Sequence, residues 1–179
     1  MQRIDNPTNP SAWRVSSSHL PAQHRQVLPE LHHRLAGSGI QWAITGSCCL
    51  ALQGVAIAPS DIDILTTRQD LYRFPRLFAD HIERGFAFSR LRTLRSHFGV
   101  LRIFGVRVEV MAEPEDWQPG VGWCPDVQAG WRFCRRYVRL EDLSIPVLSL
   151  AFERRVYKVL GQRAKLDLLS QLDRSRLGR

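Results

Sequence analysis

The stretch Ile44–Thr66, ITGSCCLALQGVAIAPSDIDILT, decides how this chain is read. It closes on Asp61-Ile62-Asp63-Ile64, two carboxylates at alternate positions of an apolar run. Burying charge in hydrocarbon is expensive without a partner. Side chains alternate along a strand, so Asp61 and Asp63 share one face and Ile62 and Ile64 the other. The two aspartate Cα atoms then stand roughly 6.5 Å apart. Like charges at that range repel, and their pKa values rise unless a cation sits between them. Magnesium is the obvious cation, because it takes hard carboxylate oxygens and arrives with substrate phosphates. The bland alternative is a strand end at solvent.

Working outward, Ile40 to Thr45 reads as a buried strand that Gly46 breaks, and Ser47 is placed to N-cap a short helix through Leu52. A glycine between strand and helix lets a ligand approach the backbone closely. The helix start then offers N–H groups and a positive dipole end to a phosphate. Downstream, Glu109 in GVRVEVMA (residues 105–112) is a third acid inside an apolar strand. Arg107 shares its face and is its candidate salt-bridge partner, the bland reading of that pair.

The chain has 179 residues, enough for one substantial core. Hydrophobic residues at 44% and charged residues at 23% match an ordinary soluble globular domain. No apolar run approaches the ~20 residues of a membrane span. The start, MQRIDNPTNPSAW, lacks the apolar segment of a signal peptide. A cytoplasmic location and no membrane partner are therefore expected. The formal charge is +8, carried by arginine with Lys158 and Lys165 as the only lysines. It suits anionic partners, nucleotide or nucleic acid, and suits equally the codon usage of a GC-rich genome. Cys48, Cys49, Cys124 and Cys134 lack zinc-ligand spacing and read as free thiols.

Periodicity and punctuation predict a helix over 23–36, stopped by Gly37 and Gly39, and a strand over 61–65. A helix over 68–82 is questioned at its middle by Pro75. Strands follow at 86–91, 99–104 and 106–111, the last two joined by a tight turn at Gly105. Residues 114–130 read as a loop whose Trp117 and Trp123, with Trp131, are expected to cap the core rather than form a base-stacking platform. Extended segments at 132–140 and 144–148 precede helices at 150–160 and 164–172. The expected organisation is a flexible arm over 1–20, a main domain over 21–148 and a basic helical segment over 149–179 packed on it.

Three elements, Thr45-Gly46-Ser47, Asp61-Ile62-Asp63-Ile64 and Val108-Glu109-Val110, together resemble the signature of the DNA polymerase beta-like nucleotidyltransferase superfamily, over about Leu28 to Met111. RSHFGVLRIFGVRVEVM (95–111) looks like a poorly characterised bacterial and archaeal branch of these proteins. His97 belongs to it, with a turn role and a catalytic role both open. IPVLSLAFERRVYKVLGQRAKLDLL (145–169) is similar to the C-terminal segment of small members, with Arg163 and Lys165 as the matching basic residues. The resemblance implies an α/β (α+β) fold, a mixed β-sheet with helices on one side and a short C-terminal helical segment. It implies transfer of a nucleoside monophosphate from an NTP, ATP in the first instance, with release of pyrophosphate. Asp61, Asp63 and Glu109 would be catalytic and hold two Mg²⁺ ions, while Gly46, Ser47 and Lys165 would bind the nucleotide. The acceptor is left open among a small molecule, a protein and RNA. Many small members carry an arginine just before the Asp-x-Asp pair; here that place is Ile57-Ala58-Pro59-Ser60, so Arg102, Arg107 or Lys165 must supply the phosphate contact. The alternative is an inactive member of the fold that binds nucleic acid or protein, as an antitoxin does.

Overall fold

A computed structural model describes residues 13–14, 19–92, 94–124 and 128–177. Most of the arm expected over 1–20 lies outside the described residues. Within it, the short strand β1 (Trp13–Arg14) pairs in parallel with β8 (Arg135–Leu140).

The core is one mixed sheet in the order β1, β8, β9 (Leu143–Leu148), β2 (Trp42–Thr45), β3 (Ile62–Thr66), β6 (Val106–Gln118), β5 (Leu94–Ile103) and β4 (Ile82–Arg90). A short strand β7 (Gly122–Cys124) pairs with β6. β2 and β3 are antiparallel, whereas β3 and β6 are parallel. The central strands are apolar on the core face. Val106, Val108, Val110 and Ala112 alternate with more open residues along β6, and the core-facing Ile62 and Ile64 stand opposite Val108 and Val110.

Helix α1 (Ala22–Leu35) packs on this face through Val27, Leu28, Leu31 and Leu35, spaced for one side of a helix. Helix α2 (Gly46–Leu52) follows β2 directly. The C-terminal helices α5 (Leu150–Val159) and α6 (Arg163–Leu177) bring Tyr157 and Leu169 against Leu50 and Val55 in a second apolar cluster. No helix among the described residues is long and apolar enough to cross a membrane. All four cysteines are free, Cys48 and Cys49 being buried.

Several expectations about the elements change. The helix expected over 68–82 is broken into α3 (Arg68–Leu71), α4 (Phe74–Leu77) and a 3-10 turn over Ala79–His81. Pro75 cannot donate to the preceding turn and so sits at the start of α4. The loop expected over 114–130 contains strand at 114–118 and 122–124, because β6 runs on to Gln118 and folds back into β7, while residues 125–127 of it lie outside the described residues. A bulge absorbs Pro114: Glu113 takes a positive φ of 50° and the β5–β6 register shifts beside it. Of the three tryptophans there, only Trp131 is buried, at 8% exposed, while Trp117 is 46% exposed. His97 lies within β5 rather than in a turn, and shares a hydrogen bond of 2.8 Å with the Tyr72 hydroxyl.

Candidate active site

The link from β2 to α2 is the centre of the site. Thr45 is extended and Gly46 has φ +68°, a left-handed conformation that L side chains resist. The expected cap, Ser47, is already inside the helix, and Thr45 occupies the cap position. Its hydroxyl does not cap. It donates instead to Glu153 Oε1 at 2.6 Å, and the Gly46 N–H donates to the same oxygen at 3.3 Å. Glu153, on α5 and only 1% exposed, thus takes up the first free N–H of α2. Burial pushes its carboxyl pKa up, against the pull of these hydrogen bonds.

β3 brings Asp63 onto the same turn. A Cβ added at Gly46 would lie 2.2 Å from Asp63 Oδ2, so the carboxylate rests on the bare Cα of the glycine. Thr45 and Asp63 are register partners, and so are Asp63 and Glu109. Asp63 and Glu109 therefore lie on one face of the sheet, side by side. Asp61 stands just before β3, half-buried. Burial, and then the charges of Asp61 and Glu109, lift Asp63 from 3.8 to about 7, while Lys165 on α6 pulls it down. Lys165 is half-buried, with its Nζ 4.9 Å from the Tyr157 ring centre.

Glu109 keeps its bland partner: Arg107 Nε donates to its Oε1 at 2.7 Å. Arg107 also pairs with Glu83, as does Arg102. Of the three residues that could replace the missing arginine, Lys165 alone is near Asp63 without a carboxylate partner among the described residues. Ser47 is partly exposed, and Arg163 is exposed on α6.

Sequence reasoning missed two residues. Glu153 could not be found from spacing, since its partners are 107 and 108 positions away. His24 on α1 is buried beside Asp61, with neither ring nitrogen hydrogen-bonded among the described residues, and burial holds its pKa down. Its signal was present, because it falls on the stripe of Leu28, Leu31 and Leu35.

The donor chemistry of Asp61 and Asp63 fits a divalent cation: hard oxygens that repel one another and have no ion-pair partner among the described residues. As the side chains stand, no three His, Cys, Asp or Glu groups among the described residues are grouped to hold a metal. Glu109 joins such a set through the oxygen that Arg107 leaves free or by exchanging Arg107, which holds its Oε1. A cavity of about 620 Å³, lined by Thr67, Arg68, Tyr72, Glu113 and Arg132 among others, lies at the far end of β3 and is not lined by Asp61, Asp63 or Glu109.

A mixed sheet that carries a glycine turn and neighbouring strand acids is that of a nucleotidyltransferase-fold protein. The chain belongs to the aminoglycoside-2''-adenylyltransferase family, whose family model matches residues 27–175. A Thermotoga maritima protein assigned as a nucleotidyltransferase, with a 1.87 Å crystal structure, is 31% identical, with 87% of this chain and 96% of that chain covered and a TM-score of 0.73. ANT(2'')-Ia in complex with adenylyl-2''-tobramycin matches at 10% identity over 86% of this chain and 98% of that one, with a TM-score of 0.46, too distant to carry an argument. No curated protein matches at a significant level.

Proposed function

We propose that this chain transfers a nucleoside monophosphate from ATP to an acceptor hydroxyl and releases pyrophosphate. The observation that carries the reading is the Asp63 carboxylate seated on Gly46 and paired in register with Glu109. In this reading Asp61 and Asp63 hold the Mg²⁺ that accompanies the triphosphate. Glu109, once exchanged from Arg107, serves a second Mg²⁺ on the acceptor side. When bound, the cations neutralise phosphate charge and lower the pKa of the acceptor hydroxyl. Ser47 Oγ donates to the β- or γ-phosphate, and Lys165 balances the charge of the triphosphate. Glu153 keeps the Gly46 turn fixed, so that positioning costs nothing at the moment of reaction.

The family name points to an aminoglycoside as one acceptor. The net charge of +8 opposes a polycationic acceptor at long range, so the acceptor feature proposed is the hydroxyl group itself.

The Arg107–Glu109 ion pair favours a second reading, an inactive member of the fold that binds a partner. Calorimetry of ATP binding with and without Mg²⁺ separates the two. Mg²⁺-dependent binding that Asp63→Asn abolishes supports the enzyme. Absence of Mg²⁺-dependent binding in the wild type rejects it.

A further inference from the structure

The bulge at Glu113–Pro114 decides where the far half of β6 points. His97 of β5 pairs with Ala112, and two residues on, Arg95 pairs with Glu115. Two residues of β6 thus stand opposite one of β5, and Glu115 and Trp117 return to the face of Ala112 and Val110. On β4, Phe88 and Arg90 pair with His97 and Arg95 and share that face. Trp123 of β7 pairs with Trp117, ring centroids 5.5 Å apart. Arg95 and Arg90 both stand over Trp123, at 4.7 and 5.8 Å. The face is the one opposite Glu109, so the surface is separate from the acids.

We propose that Phe88, Arg90, Arg95, Trp117 and Trp123 form a docking surface for a single-stranded polynucleotide. Phe88 and Trp117 are 56% and 46% exposed, and Leu91, at the end of the β4–β5 hairpin, is exposed as well. Arg90 and Arg92, two positions on, have no ion-pair partner among the described residues, and Arg95 has only Glu115. Flat apolar rings beside the carboxylate-free guanidinium groups of Arg90 and Arg92 suit a ligand with stackable bases and phosphates. A second copy of the chain would bring arginine against arginine, and the charge of +8 adds to that repulsion. Duplex nucleic acid offers phosphates but hides its base faces.

The test titrates the full chain into a fluorescent oligouridine RNA of about 12 nucleotides and follows anisotropy over a range of salt. The wild type is expected to bind the single strand at least tenfold tighter than the same length of duplex. Phe88→Ala with Trp117→Ala is expected to weaken binding by about thirtyfold or more, since each of the two stacks lost contributes ~1–3 kcal/mol. Arg90→Ala with Arg92→Ala is expected to flatten the salt slope by about 1.4, the share of two phosphates on a single strand. Melting of every variant checks folding, and substitution at these exposed positions leaves it near the wild type. No binding, equal affinity for duplex, or unchanged affinity of the Phe88/Trp117 variant overturns the proposal. So does a dimer in sedimentation that the same substitutions dissolve, because it assigns the face to a second copy.

Discussion

The contact between Gly46 and Asp63 makes a quantitative demand on substitution. Gly46→Ala puts a Cβ on a residue with φ +68°, which costs roughly 1–2 kcal/mol from backbone sterics alone. The same Cβ would meet Asp63 Oδ2 at 2.2 Å and Cγ at 3.2 Å, but Asp63 Cβ at 3.5 Å, an ordinary contact. Displacing the carboxylate adds an overpacking cost of about 1–3 kcal/mol. The clash is therefore confined to atoms that Asp63→Ala removes. In the Asp63→Ala background, Gly46→Ala should cost only the backbone share, so the two substitutions couple by about 1–3 kcal/mol. The assay is a double-mutant cycle of urea denaturation without metal or nucleotide, with thermal melts alongside. For a chain of this size each kcal/mol corresponds to about 2–4 °C. Additive effects of the two substitutions, within about 0.5 kcal/mol, would refute the claim that Asp63 packs on the glycine.

The remaining predictions concern charge at the same place. Asp63 has a folded pKa raised from 3.8 to about 7, so its ionised form disfavours the folded state; stability should fall as pH rises from about 4 through 7 and level off above. Asp63→Asn removes that penalty and should stabilise the metal-free protein by as much as about 4 kcal/mol at pH 8, far less at pH 4; equal gains at both pH values in urea melts would contradict it. Glu153→Ala strands the Thr45 hydroxyl and the Gly46 N–H in a buried site at about 1–3 kcal/mol each, whereas Glu153→Gln keeps an acceptor and should lose clearly less. Identical losses in denaturation would show that Glu153 does not hold the turn. Arg107→Ala breaks a partly exposed ion pair, costs under about 1 kcal/mol of stability and frees Glu109. Mg·ATP should then raise the melting temperature more than in the wild type, and an unchanged shift would remove Glu109 from the site.

The candidate acids Asp63 and Glu109 were legible because each interrupts an apolar alternation that a strand imposes, and the two do meet as register partners, while Asp61 falls just before β3. Gly46 was legible as a break, and its role against Asp63 follows once β2 and β3 pair antiparallel. What stayed hidden depends on distant chain segments. Glu153 looks like one more polar residue on α5 until the fold carries it to Thr45. Ser47 reads as a cap because local rules favour serine there, yet a carboxylate from another helix takes the first N–H. β6 was cut short at Met111 because Pro114 and three acids obscure its period, which the bulge at Glu113 restores. Arg107 was visible as a rival partner for Glu109, and only side-chain placement shows the pair formed.

The hydrogen bond between Gly46 and Glu153 has a consequence for the chain during synthesis. It joins positions 107 residues apart, the pairing of Asp63 with Glu109 must form as well, and contacts of such long span are slow to close. A nascent chain exposes its Gly46 turn and its acids well before α5 leaves the ribosome. Until then the first N–H of α2 has no carboxylate to meet, and the turn is held only by its neighbours in sequence. The hydrogen-bonded geometry of the Gly46 turn is therefore a late product of folding, coupled to the docking of α5, so that a chain stopped short of residue 149 carries the whole acidic signature without the arrangement that orders it.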